Sequence, residues 1–140
     1  MSKGKGGQPT KYTQEIGDKI CAQIALGKSL AKITSENDFC MTSIFNWLRT
    51  NEEFLKNYTR AKEEQAEVFA EQIVDIADDK IERDANGRID SGAVNHARLR
   101  VDARKWVASK LKPKKYGDST TLRGDSEAPL NPSVNVILNK

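Results

Sequence analysis

From Thr13 onward, apolar side chains recur every three to four residues: Ile16, Ile20 and Ile24, with Cys21 and Ala25 beside them. That spacing lines one face of an α-helix. Thr13 offers a hydroxyl for the N-cap, and Gly27 supplies the stop at the other end. Ser29 then caps a short second helix bearing Leu30, Ala31 and Ile33. Asn37-Asp38 marks a turn, and a third helix is predicted over about 41–49. Ile20, Ile24, Leu30, Ile33, Ile44 and Leu48 are the expected core of this three-helix unit.

Beyond Asn51 the pattern lengthens. Phe54, Tyr58, Ala61, Val68, Phe69, Ile73, Ile76 and Ile81 keep helical spacing with no Gly or Pro between them, which predicts one helix of roughly seven to eight turns. Asp84-Ala-Asn86-Gly87 is a turn signal, and a second long helix is expected over about 91–111, ended by Pro113. The two form a predicted helical hairpin. At the start, Met1 to Pro9 mixes Gly, Lys and Pro with almost no apolar side chains and predicts a flexible basic arm over 1–12. At the other end, two β-prone runs, 119–123 and 134–138, are separated by Gly124, Pro129, Asn131 and Pro132. They predict either a short β segment completed by neighbouring copies or a tail without fixed structure. The expected architecture is therefore mainly α: a helix-turn-helix unit over 13–50, a helical hairpin over 51–115, and a C-terminal β segment or tail over 116–140.

Charge changes this picture more through its placement than its sum. Among 140 residues, 23 Lys and Arg oppose 20 Asp and Glu, a formal net charge of only +3, so any polyanion contact must come from local clustering. The first hairpin arm is acidic, with Glu63, Glu64, Glu67, Glu71, Asp75 and Asp78 among its carboxylates. The second arm and its exit are basic, from Arg98, Arg100, Arg104 and Lys105 to Lys115, with Asp102 the sole acid among them. A solvated face is one reading of such a division. The reading favoured here is head-to-tail association, in which the acidic arm of one copy faces the basic arm of the next until a ring closes. Val94, Ala97 and Val101 form one apolar stripe while Leu99, Trp106 and Val107 point elsewhere, a surplus that oligomerisation would bury.

The three-helix layout is that of a helix-turn-helix, whose third helix enters the major groove. With Ile44 and Leu48 turned inward, Thr42, Ser43, Asn46 and Arg49 lie on or near the outward side, where they can reach base edges or phosphates. Lys3, Lys5, Lys11, Lys28 and Lys32 surround the unit with phosphate-seeking charge, partly offset by Glu15, Asp18, Glu36 and Asp38. Double-stranded DNA is the expected ligand; a three-helix scaffold without that role is the competing reading.

Enzyme readings find little support. Gly27-Lys28-Ser29 imitates the end of a phosphate-binding P-loop, but Ala22 occupies the earlier glycine position and the preceding segment is helical. The carboxylates Glu71, Asp75, Asp78, Asp79 and Glu82 lack an accompanying histidine and are expected to form a solvated or intersubunit-paired face rather than a two-metal centre. His96 has no nucleophile or acid at useful spacing. Cys21 and Cys40 lack metal-ligand spacing and are expected as buried free thiols, with a disulfide or metal site less favoured. Trp47 and Trp106 are expected in apolar cores. No cofactor or metal is expected. No apolar run nears the roughly 20 residues that cross a bilayer, so a soluble, intracellular protein without membrane contact is anticipated.

The run from Trp47-Leu48-Arg49-Thr50-Asn51-Glu52-Glu53-Phe54 through Tyr58 to Ala61 resembles the junction found in small terminase subunits of tailed bacteriophages. Lys110-Leu-Lys-Pro113-Lys-Lys-Tyr116-Gly-Asp118 is similar to the exit from that family's helical core. With the preceding helix-turn-helix, the resemblance spans most of residues 10–118. It implies viral DNA packaging in the host cytoplasm by a non-enzymatic, ring-forming protein of about eight to ten copies. Such a protein binds viral DNA at the packaging start site and regulates or recruits a separate large terminase subunit with ATPase and nuclease activities. The C-terminal tail, a possible contact for that large subunit, lies outside the secure match. A dimeric helix-turn-helix transcription regulator and a structural scaffold meeting other proteins are the alternatives.

Overall fold

A computed structural model describes residues 11–118; the basic arm before Lys11 and both β-prone runs lie outside the described residues. The chain is mainly helical, in the order α1 (Gln14–Ala25), α2 (Leu30–Ser35), α3 (Met41–Thr50), α4 (Glu52–Asp78), α5 (Ser91–Leu111) and α6 (Pro113–Tyr116). The only β feature among the described residues is an isolated antiparallel bridge between Arg83 and Ile89.

Local chemistry sets the boundaries. Thr13 accepts a hydrogen bond from the Ile16 amide, Ser29 from Lys32, and Asn51 from Phe54. Each satisfies an amide that the first helical turn leaves without an intrahelical partner. Helix α1 ends in a Schellman arrangement: the amide of Gly27 donates to the Ile24 carbonyl at 2.9 Å and that of Lys28 to the Gln23 carbonyl at 3.1 Å. Gly27 has φ +98°, a conformation that costs a side chain with Cβ dearly. Asp84 organises the loop between α4 and α5, its Oδ1 accepting from the amides of Asn86 and Arg88 at 2.8 and 2.9 Å. Gly87 there takes φ +76°.

One apolar cluster unites α1–α3 with the beginning of α4. Ile20, Ile24, Ile33, Phe39, Ile44 and Trp47 meet Phe54 and Ala61, while Leu30 and Leu48 are half-buried at its margin. Tyr12, placed by the sequence reading in the basic arm, instead packs on this core. Its ring lies 5.8 Å from that of Trp47 and 5.3 Å from that of Phe54, within the range of aromatic pairing.

A single polar side chain is buried at this junction. Gln65, only 3% exposed, donates from Nε2 to the carbonyls of both Ile24 and Lys28, each at 3.0 Å. It thereby ties the α1–α2 turn to the middle of α4.

Helix α5 returns antiparallel along the second half of α4: Arg104 Nε donates to Gln72 Oε1 at 2.8 Å, and Glu67 meets the chain again at Lys112. Ala108 is the buried centre of this contact, with Ala97, Val101 and Leu111 half-buried beside it. Glu67 holds the exit. Its carboxylate accepts from Lys112 Nζ, from Lys115 Nζ at 2.7 Å and from Tyr116 Oη at 2.6 Å. These donors, Lys112 first, pull the Glu67 carboxyl down to about 2.

Four expectations are corrected. Trp106 is 63% exposed rather than in a core; it lines an open groove beside Ala70 and Ile73 of α4. Ile81 lies beyond α4, which ends when Asp79 turns extended (φ −67°, ψ 152°). Cys40 is exposed and Cys21 only half-buried, although both are free thiols. Pro113 does not merely end α5; it opens the one-turn helix α6 as its first residue, where its missing N–H costs no hydrogen bond. Among the described residues no helix is long and apolar enough to cross a membrane.

Two measurements check this packing. Gln65→Leu keeps the volume but strips the Ile24 and Lys28 carbonyls of their side-chain donor, and is expected to cost about 1–3 kcal/mol in urea unfolding; a neutral result would contradict the junction. Glu67 has a folded pKa below its unfolded one, so its contribution is complete above the ordinary carboxylate value near 4.5 and is lost as pH falls through the interval down to about 2. Acid titration of Glu67→Gln, followed by helical circular dichroism, should show a smaller loss of stability across that interval than the parent chain.

Candidate nucleic-acid interface

The exposed side of α3 follows from its buried one. Ile44 and Trp47 point into the core, which leaves Thr42, Asn46 and Arg49 exposed along a single stripe at helical spacing. Arg49 lies folded on this surface, its Nη2 donating to Asn46 Oδ1 at 2.8 Å and its Nε to the Phe45 carbonyl at 3.4 Å. A guanidinium and a carboxamide joined in this way present hydrogen-bond donors of the kind that read guanine and adenine edges.

Ser43 stands apart. It is half-buried, and its hydroxyl lies 3.3 Å from the Cys40 thiol, so it serves the start of α3 more than its outward face.

The lysines form a second group. Lys28 Nζ donates to Glu36 Oε2 at 2.6 Å, and Lys32 Nζ lies 3.6 Å from Glu36 Oε1. The Glu36 carboxyl is held below the usual carboxylate range, chiefly by the Lys28 hydrogen bond. Two ammonium groups thus share one carboxylate, and the cluster keeps a net positive charge with Lys32 its more exposed member. No described hydrogen bond or ion pair joins this cluster to the α3 stripe. Lys11 is exposed at the start of the described chain; Lys3 and Lys5 lie outside the described residues.

Sequence reasoning missed two apolar members of the α3 surface, Phe45, 44% exposed, and Met41, 37% exposed. The signal was available, since Phe45 falls between the inward Ile44 and the outward Asn46 on the helical wheel. Apolar side chains there can meet a thymine methyl group. Lys19 was missed as well; it donates to Asn37 Oδ1 at 2.7 Å and steadies the turn before α3.

A family model described as Bacteriophage Sf6, terminase small subunit-like, matches residues 12–123. The chain belongs to this family. Three crystal structures of the terminase small subunit gp1 of the bacterial virus Sf6, each with one substitution, are similar to it. Every one is 35% identical with a TM-score of 0.69, the match covering 88% of this chain and 92% of that chain. No curated protein matches the chain. Membership assigns this terminase small subunit a part in phage DNA packaging, carried out in the infected host cell.

The two thiols of this small subunit differ in chemistry as well as exposure. Hydrogen bonding from Ser43, through its side chain first and its amide second, lowers the Cys40 pKa, while burial raises that of Cys21. Because the thiolate is the reactive form, a disulfide-exchange reagent should label Cys40 well before Cys21 in the native protein. Mass mapping of a time course checks this; simultaneous labelling would contradict the placement of Cys40.

Proposed function

We propose that this chain is the DNA-recognising, non-catalytic initiator of packaging. In this reading it binds viral double-stranded DNA at the packaging start site, assembles into a homo-oligomeric ring of about eight to ten copies, and recruits or regulates the large ATPase and nuclease subunit in the host cytoplasm. The observation that carries the reading is the α3 surface, where Thr42, Phe45, Asn46 and Arg49 stand outward on a helix whose other side is locked into the core. The groove-entering helix of a helix-turn-helix, here α3, docks in this way, with α2 and the Lys28–Lys32 cluster beside the backbone.

Support for assembly comes from what α4 and α5 leave uncovered. Leu99 is 65% exposed, and Trp106 and Val74 are also well exposed. The acids Glu63, Glu64, Glu71, Asp75 and Asp78 are exposed on α4, and the bases Arg98, Lys105 and Lys110 on α5. Unlike charges on the two sides of one protomer suit a heterologous contact, the kind that repeats around an axis. Weak DNA binding per copy then gains from several heads acting on one duplex.

Arg49→Ala combined with Lys32→Ala should weaken DNA retention and lower the salt dependence of binding by about two counterions, while native mass spectrometry shows the parent oligomer. Undiminished binding would remove α3 from the interface. A footprint of two palindromic half-sites with a dimeric mass would favour the transcription-regulator alternative.

A further inference from the structure

The outward side of α3 has a hydrogen-bonding polarity that its residue types alone do not fix. A guanidinium only donates, so the Asn46 atom that Arg49 Nη2 meets at 2.8 Å is the carbonyl Oδ1, and the open end of the carboxamide is Nδ2, a double donor. Arg49 has five N–H groups. Nη2 gives one to Asn46 and Nε gives its own to the Phe45 carbonyl, which leaves three beyond these two bonds. No Asp or Glu occurs between Met41 and Thr50. The joined pair is therefore a donor fork whose one acceptor is already engaged.

Base pairs differ in what they show such a fork in the major groove. Guanine presents two neighbouring acceptors, O6 and N7, whereas adenine sets a donor beside N7 and cytosine offers only a donor. An unattached Asn pairs with adenine by accepting at Oδ1 and donating from Nδ2, but here Arg49 competes for that Oδ1. Guanine is the edge that a donor pair satisfies fully. Around the helix Phe45, Arg49, Thr42 and Asn46 follow in that order on the outward side, so the exposed Phe45 ring borders the fork. Because Arg49 folds back toward Asn46 and the Phe45 carbonyl, its guanidinium lies level with the turn that carries Phe45. One helical turn rises about 5.4 Å, under two base-pair steps of about 3.4 Å. Thymine is the base that places a methyl group in this groove.

We propose that α3 reads a guanine beside a thymine: Arg49 donates to guanine O6 and N7, Asn46 is the positioning residue of that guanidinium, and Phe45 covers the methyl group of a thymine at an adjacent base pair. The inference rests on the reading of α3 as the groove-entering helix and adds which base edges it takes. On duplex of other sequence the guanidinium lies against phosphate, the contact counted in the salt dependence above.

Selection of bound duplexes from a random library by the full-length protein should enrich a guanine with a thymine, on either strand, at a neighbouring base pair. In the enriched duplex, 7-deazaguanine, which lacks N7, should weaken binding about tenfold, whereas inosine, which keeps O6 and N7, should bind as guanine does. Deoxyuridine in place of the thymine should weaken binding of the parent chain and leave that of Phe45→Ala unchanged. Asn46→Ala should hold random duplex as the parent does but show a smaller 7-deazaguanine penalty; an undiminished penalty would overturn the paired fork. Enrichment without a guanine, or equal affinity for the unmodified, 7-deazaguanine and deoxyuridine duplexes, overturns the proposal and leaves DNA binding standing. Failure to retain any duplex at low salt overturns both.

Discussion

The contact between the first half of α4 and helices α1–α3 is what the rest of the molecule depends on. Helices of 12, 6 and 10 residues are too short to persist in water on their own. Phe54, fully buried, and Ala61 supply the surface against which Ile20, Ile24 and Trp47 can leave solvent. Burial of this kind favours folding by about 25 cal/mol for each Å² of apolar surface. The same helix then offers its second half to α5, so the outward face of α3 and the outward face of α5 are both set out relative to one rod.

Polar side chains fix what the apolar contacts leave adjustable. Apolar packing tolerates small slips, but Gln65 meets two carbonyls of the α1–α2 turn at once, and a shift along α4 would leave buried groups without partners. Glu67 does the same for the exit, where three donors converge on one carboxylate. These contacts also redistribute charge. Lys112 and Lys115 count as two bases in the sequence, yet the one carboxylate of Glu67 offsets half of their charge, so the positive field of this region falls more to Lys105, Lys110 and Lys114.

What was legible in the sequence is what local chemistry decides. Thr13, Ser29, Gly27 and the Asp84–Gly87 turn mark their elements because capping hydrogen bonds and positive φ angles are made within a few residues. The long periodic stretch of α4 and the bounds of α5 were readable for the same reason. The fate of Trp106 was not, since α5 is apolar on more than one side and only the docking of α4 chooses the face that is covered. Tyr12 looked like part of a polar arm because its partners, Trp47 and Phe54, are remote in sequence. At the candidate interface the α3 stripe followed from the inward positions of Ile44 and Trp47. The sharing of Glu36 between Lys28 and Lys32 needed the fold of the α1–α2 corner, and the exposure of Phe45 needed the docking of α3, since an apolar side chain next to the inward Ile44 reads equally well as core.

The unbroken run of α4 has a geometric corollary. At about 1.5 Å per residue its 27 residues make a strut about 40 Å long, and Gln65 grips it near the midpoint. α4 runs without a break between the exposed face of α3 and the face that α5 turns outward. Neighbouring protomers that meet through α5 would therefore carry their α3 faces at a pitch and tilt already dictated by the strut, and a ligand would have to bend to suit that array rather than the array to suit the ligand.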